Sequence, residues 1–546
     1  MKKLNTTVIA SLLMGGILIQ VCSLDEVNTR IPVADTYYTT EEGAGDLVNS
    51  AYSYSQNIYE YFIWFMTEMG TDLWMSGGDG PKELNNYTFD ASHWYVQEFW
   101  NYSYNGITAC NTLLDRADNI QASEDVVNNY KGQALFLRAF YYHNLVIQFG
   151  DVPLVIKEVH TAETTATRAP ESDVYAQIIA DLIEAERLLP IEATEFGRPT
   201  QSAAQALLAR VYLWNEQWDN AATYAKKVIS SGQHELLPDF ADLWDANNQK
   251  NKEFIWTVQG SGNDTYNTKR SWASTIFTVR YDVHGADYGM IRDIANGRPY
   301  RYFMPTRHFF DLLASTMEWD NRFEKSFKWV WYVNDESHCT LNPGRVLGDT
   351  ALYVPPFKVS PEQRAWAEGK YRIEDIDDYF NPESPNGEET SGPREMFPQM
   401  SKYLDPTRVD VGLMSSLDIP VIRLGEMYLI AAEALMNEGK AAEGVEFINN
   451  LRKRSAKSEE AYEAHKLDAS ELTIDVILNE RAIELAGETT GRWMDLKRTG
   501  KFLEYIQLYN PDARNNIKEK HLYRPIPTSM LDRISNKDEF PQNPGY

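Results

Sequence analysis

Cysteine is nearly missing: 546 residues contain three, Cys22, Cys110 and Cys339, and no CxxC pair. That excludes a disulfide framework and a cysteine-based structural zinc site. Positive charge is also scarce. The 52 Lys+Arg residues face 79 Asp+Glu, a formal net charge of −27, and no basic stripe exists to meet phosphates, so nucleic acid is excluded as a partner. Gly and Pro, 31 and 24 residues, are too few for a collagen-like or low-complexity chain. Catalytic motifs are absent too. There is no GxxxxGK[ST], HExxH or GxSxG, Gly260-Ser261-Gly262 lacks the third glycine of a dinucleotide fingerprint, and the nine histidines show no metal-ligand spacing. The reading is therefore of a protein that is not an enzyme. Paired carboxylates of a glycoside hydrolase leave no sequence signature, so that class stays as an alternative.

What is there is a folded chain, 43% hydrophobic and long enough for about two to four domain-sized cores. Lys2 and Lys3 precede an apolar stretch, residues 8–21, too short to span a bilayer and suited to a secretory signal peptide. Cys22 follows immediately, the position at which a bacterial lipoprotein is lipidated. The leader is thus residues 1–21, and the mature chain, beginning at Cys22, is anchored to a membrane but does not span it.

Helical periodicity returns in paired blocks. In residues 203–229, Ala204, Leu207, Leu208, Val211 and Tyr212 share one helical face. After Asn215-Glu216-Gln217, Trp218, Ala221, Ala222, Ala225 and Val228 form a second. Residues 424–451 repeat the pattern, with Leu424, Met427, Tyr428, Ala431, Ala432 and Leu435 before Asn437-Glu438-Gly439, then Val445, Ile448 and Leu451. Small residues at 221 and 444 allow close helix approach. This is tetratricopeptide (TPR) spacing. A degenerate hairpin pairs a helix through Phe136, Leu137, Phe140, Tyr141 and Leu145 with residues 174–189, bounded by Pro170 and Pro190. The predicted fold is mainly all-α: a TPR-like scaffold with a long irregular, aromatic-rich insertion and minor β. Its divisions are residues 22–231 (helical), 232–415 (insertion) and 416–546 (helical, with a coil tail). Cys110, inside a helical pattern, reads as a buried small hydrophobe.

Aromatics crowd outside the repeat faces: Tyr59, Tyr61, Trp64, Trp74, Trp94, Tyr95 and Trp100 early, then Trp272, Tyr281, Tyr288, Trp329, Trp331 and Tyr332 in the insertion. An exposed ring offers a flat apolar platform that suits the C–H face of a sugar. Trp74, before the glycine-rich loop Ser76-Gly77-Gly78-Asp79-Gly80, and Trp94, after a turn, are the candidate stacking rings; Asp72, Asp79 and Lys82 are the candidate partners for hydroxyls. Trp100 and Trp244 read as packing residues. The net acidity leans against sulfated or uronate-rich glycans unless the site is locally basic.

Several segments together resemble the SusD/RagB family of outer-membrane nutrient-binding lipoproteins. They are 132–142 (Gly-Gln-Ala-Leu-Phe-Leu-Arg-Ala-Phe-Tyr-Tyr) and Phe149-Gly150-Asp151-Val152-Pro153-Leu154. Pro199-Thr200 leading into 203–213, 419–429 with Ala432-Glu433-Ala434, and Glu480-Arg481 with 491–498 follow. Tyr523-Arg524-Pro525-Ile526-Pro527 and Gln542-Asn543-Pro544-Gly545-Tyr546 close the chain. The resemblance implies a lid on a TonB-dependent outer-membrane transporter, capturing oligosaccharide or, as the alternative, peptide at the cell surface. Binding rings in such proteins come from loops around the first helices and from the insertion, which adds Trp272, Tyr281 and Tyr288 to Trp74 and Trp94. Asp25 and Glu26, soon after Cys22, look like the family's surface-export signal. No cofactor is implied, and a structural calcium is left open. The quoted motifs read as scaffold, with Arg423–Glu426 and Arg481–Glu484 expected to pair at i,i+3 spacing. A pure TPR protein-interaction scaffold is the third alternative.

Overall fold

The computed structural model describes residues 34–161, 163–260 and 271–546; the leader and Cys22 lie outside them. Among the described residues, eight long helices form the scaffold: α1 (Glu41–Asn57), α2 (Trp94–Arg116), α3 (Glu124–Phe149), α4 (Glu171–Leu188), α5 (Gln201–Trp214), α6 (Trp218–Ile229), α7 (Leu424–Asn437) and α8 (Ala441–Ser455). Each packs on the next in that order, α6 on α7 included, so the stack continues across the insertion as though it were absent. The predicted hairpins are therefore present and mutually stacked, which is how single hairpins bury an otherwise exposed apolar face.

Local chemistry sets the helix ends. The hydroxyls of Thr40, Ser123 and Thr200 cap α1, α3 and α5 by accepting from Gly43, Val126 and Ala203 N–H groups. Gly150, at φ +73°, ends α3, and a Cβ there would meet the Tyr523 ring at 2.9 Å. At Gly444 a Cβ would lie 2.8 Å from the Ala432 carbonyl oxygen, so the small residue is what lets α8 approach α7.

The quoted motifs are scaffold in the literal sense. Arg138 reaches Asp181 through two bonds of 2.8 and 2.7 Å, tying α3 to α4. Arg210 grips Glu426 at 2.8 and 2.6 Å, tying α5 to α7. Arg524 Nη2 donates to Met66 O at 3.0 Å, anchoring the C-terminal segment to the first helical layer. The i,i+3 pairings expected from spacing do not form. Arg423 instead meets Glu253, Glu484 and Glu488, and Arg481 meets Asp495 at 2.6 Å. Helical neighbours point along one helix, whereas these side chains are buried and satisfied only by carboxylates on other segments. Arg322, Arg423, Arg452, Arg454 and Lys402 there face Asp320, Glu253, Glu480, Glu484 and Glu488, equal numbers of opposite charges.

The described part of the stretch without sustained periodicity is built from short pieces. Strand β1 (Trp74–Ser76) pairs antiparallel with β3 (Phe303–Pro305), and β2 (Phe254–Val258) with β9 (Ile419–Arg423). Strand β4 (Phe327–Lys328) pairs with β8 (Gln399–Met400). A three-stranded sheet joins β5 (Val330–Tyr332), β6 (Thr350–Tyr353) and β7 (Arg372–Ile373), with β6 and β7 parallel. A second apolar core, including Val279, Tyr281, Phe310, Trp331, Leu352 and Phe397, sits within it. Strands of two to five residues are too short to leave a readable period.

Candidate functional site

Three segments distant in sequence converge on one aromatic surface. After α1 the chain makes a π-helical turn, Ile58–Phe62, that carries Tyr61. Trp94 opens α2 and is 53% exposed. Trp272 precedes the short helix Ala273–Ile276, and its backbone N–H donates to Glu60 O at 2.9 Å, docking the insertion on the π turn. Tyr300 and Tyr302 lie just before β3, held by backbone bonds to Thr275 O (3.3 Å) and Ile276 O (2.7 Å).

The rings form a chain. Tyr61 lies 6.0 Å from Trp94 and 5.1 Å from Trp272, centroid to centroid; Trp272 is 5.4 Å from Tyr300, which is 5.4 Å from Tyr302. Tyr61, Trp272, Tyr300 and Tyr302 are half-buried, seated on core yet open to solvent. Interplanar angles of 48–61° tilt successive rings, giving a faceted platform rather than a flat stack. Tyr61 and Tyr95 share a 2.7 Å hydroxyl contact. Burial raises the Tyr61 phenol, and burial with nearby tyrosines pushes Tyr302 up to about 12, so these hydroxyls stay neutral and act as both donors and acceptors.

Arg301, between the two tyrosines, sits at φ +40°, a conformation L side chains seldom adopt. Its guanidinium is held by Asp79 at 3.0 and 3.1 Å and by Glu395. Burial would raise the Glu395 carboxyl, but hydrogen bonds from Arg301 and His284 hold it below the usual range. The strained turn is thereby fixed where it orients two platform rings. Arg298 lies over Tyr300, 5.0 Å from the ring centroid.

The residues singled out from sequence divide. Trp94 and Trp272 belong to the platform, and Asp79 and Lys82 lie beside it, Asp79 as the Arg301 anchor. Trp74 is corrected: it is 1% exposed, packed among Phe277, Phe303, Phe309 and Phe327, because β1 pairs with β3 and carries the ring into the core. Asp72 is corrected too, fully buried and paired with Arg492 at 2.9 and 2.7 Å. Tyr281 is buried in the second core, its hydroxyl on Gly297 O at 2.8 Å, and Tyr288 packs against that core rather than the platform. Trp100, 3% exposed, packs edge-on to Phe149, and Trp244 packs on Tyr403. Cys110 is buried and its thiol is pushed up to about 12 by desolvation.

Tyr300, Arg301 and Tyr302 were missed from sequence, and Tyr61 was noted only as one of many rings. The available signal was Pro299-Tyr300-Arg301-Tyr302, two tyrosines two apart behind a proline. Among the described residues no group of three or more His, Cys, Asp or Glu could hold a metal ion, and no helix is long and apolar enough to cross a membrane.

Comparison with known proteins identifies the family of the fold. Residues 33–213 match the family described as "Starch-binding associating with outer membrane", and residues 252–546 match the family described as "SusD family". SusD-like protein P2 of Formosa agariphila is 28% identical over 569 residues, covering 100% of both chains. Starch-binding protein SusD of Bacteroides thetaiotaomicron is 25% identical, covering 88% of this chain and 84% of its own. Among solved structures, a laminarin binding SusD-like protein superposes with a TM-score of 0.65 at 24% identity over 93% of this chain and 100% of its own. A SusD homolog from Bacteroides thetaiotaomicron gives 0.72 at 20% identity over 94% and 98%. With one family spanning the whole C-terminal half and a related one the N-terminal helices, the chain belongs to the SusD family.

Proposed function

We propose that this protein is a non-catalytic surface glycan-binding lipoprotein that holds oligosaccharide for a TonB-dependent outer-membrane transporter, anchored through Cys22. The observation that carries this reading is the platform of Tyr61, Trp94, Trp272, Tyr300 and Tyr302. Tilted, solvent-open rings suit the C–H faces of successive sugar units along a bent chain, and neutral phenols suit the hydroxyl rim. Relatives named for starch and laminarin binding support a glycan as the ligand. A few stacked rings with polar contacts give roughly micromolar-to-millimolar affinity, which suits a device that must hand its cargo on.

Calorimetry with starch- and laminarin-derived oligosaccharides tests the reading. Trp94→Ala and Trp272→Ala are expected to lower affinity about tenfold each or more, with the fold intact by circular dichroism. Unchanged binding in the folded double variant overturns it. Release of new reducing ends by the purified protein would favour a glycoside hydrolase instead.

A further inference from the structure

Beside the platform lies a cleft of about 390 Å³, walled by Gly77, Lys82, Asn86, Arg301, Arg394 and Asp512 among others. It is continuous with the platform through the backbone. Gly77 N–H donates to Tyr302 O at 2.9 Å, and Arg301 lines the cleft between the two platform tyrosines. The glycine at 77 is needed for that closure, since a Cβ there would stand 2.1 Å from the Arg301 carbonyl oxygen.

The wall is charge-balanced, where the chain as a whole is strongly acidic. A protein of net charge −27 places three basic side chains on this wall, Lys82, Arg301 and Arg394, and one acid, Asp512. Two of the bases are committed. Arg394 holds Asp512 at 2.5 and 2.7 Å and Ser76 O at 2.5 Å, and Arg301 is taken by Asp79 and Glu395. Burial would raise the Asp512 carboxyl, but the bond and charge of Arg394, the Asn85 amide and the charge of Lys82 hold it below the usual range. Lys82 is exposed and makes no hydrogen bond or salt bridge among the described residues, Asp512 being its charged neighbour in the cleft. Beside it, Asn86 accepts from Asn85 Nδ2 at 2.7 Å, which leaves the Asn86 NH₂ as a donor. One uncommitted cation, an amide donor and a neutralised floor make an acceptor-seeking end to an otherwise apolar platform.

We propose that this cleft is a subsite for a negatively charged substituent, a carboxylate or sulfate, on a glycan whose rings lie on the aromatic platform, with Lys82 as the specificity-determining residue. The proposal rests on the glycan-binding reading above, and adds to it that the natural ligand is anionic. Direct contact between an ammonium and an anionic oxygen is stronger than its contact with a neutral hydroxyl, so the preference is expressed in affinity and in salt dependence.

The test measures the mature protein against three probes of matched length: a neutral β-glucan oligosaccharide, an oligouronate and a sulfated galactan oligosaccharide. Lys82 is exposed, so Lys82→Ala and Lys82→Glu are expected to fold. The wild-type chain is expected to bind at least one charged probe more tightly than the neutral one, with an advantage that shrinks as salt rises. Lys82→Ala should lose roughly five- to tenfold on that probe and distinctly less on the neutral one, and Lys82→Glu should lose more on the charged probe. The probe affected distinguishes carboxylate from sulfate. Equal affinity of wild type and Lys82→Ala for every probe, or a wild-type preference for the neutral sugar, overturns the subsite. Failure of the platform reading is separately visible, as binding of the neutral probe that survives loss of Trp94 and Trp272.

Discussion

Arg210→Met is the perturbation whose consequence the structure specifies most fully. Arg210 leaves α5 and makes two bonds to Glu426 of α7, at 2.8 and 2.6 Å, and a third to Val421 O at 2.8 Å. The Glu426 side chain is 2% exposed, so methionine fills the space but leaves a carboxylate with neither water nor counter-charge. Breaking one side of a buried pair costs about 3–5 kcal/mol, a large part of the roughly 5–15 kcal/mol that holds a typical domain folded. Removing the charge with Arg210→Met/Glu426→Leu is expected to restore most of that loss. Urea unfolding of the four chains, followed by tryptophan fluorescence, completes a double-mutant cycle. An Arg210→Met chain with the wild-type urea midpoint, or a double variant no better than the single, would refute the view that this pair joins successive hairpins.

Two further outcomes follow from the same geometry. Trp74→Ala should cost about 3–5 kcal/mol in urea unfolding by opening a cavity among four phenylalanines, whereas Trp94→Ala should leave stability nearly unchanged; equal losses would contradict the core and surface placements of these rings. His284 lies between Glu374 at 2.6 Å and Glu395 at 3.3 Å; desolvation would lower its pKa, but the Glu374 bond and charge win and raise it. Its contribution is therefore fully present below the unfolded value of about 6.5 and is lost as pH rises through the higher folded one. Comparing wild type with His284→Gln between pH 5.5 and 8.5 should show that slope in the wild type alone, and parallel curves would count against it.

Much of the scaffold was legible in the residues themselves. The stripes of α5, α6, α7 and α8 are local patterns in which a 3.6-residue period and a turn decide helix and hairpin together, with the Thr200 hydroxyl cap added at α5. Missing motifs were equally readable, because a phosphate loop or a zinc-protease helix needs particular residues at short fixed spacing. Charge pairing was not, since Arg423 has Glu426 three residues away and yet is satisfied by Glu253, Glu484 and Glu488.

The aromatic site shows where that boundary falls. Composition established that rings are plentiful outside the repeat faces, and chemistry that such rings suit sugars. Only the tertiary structure decided which of them meet solvent. Trp74 and Trp94 stand in similar-looking loops, yet one strand pairing carries Trp74 inward while the start of a helix leaves Trp94 half in water. Tyr61, Trp272 and Tyr300 become neighbours because a backbone bond from Trp272 to Glu60 and others from the Tyr300–Tyr302 turn close segments far apart in the chain. Periodicity is a property of adjacent residues and survives in one dimension; exposure is set by everything that packs around a side chain, and exists only once the chain has folded.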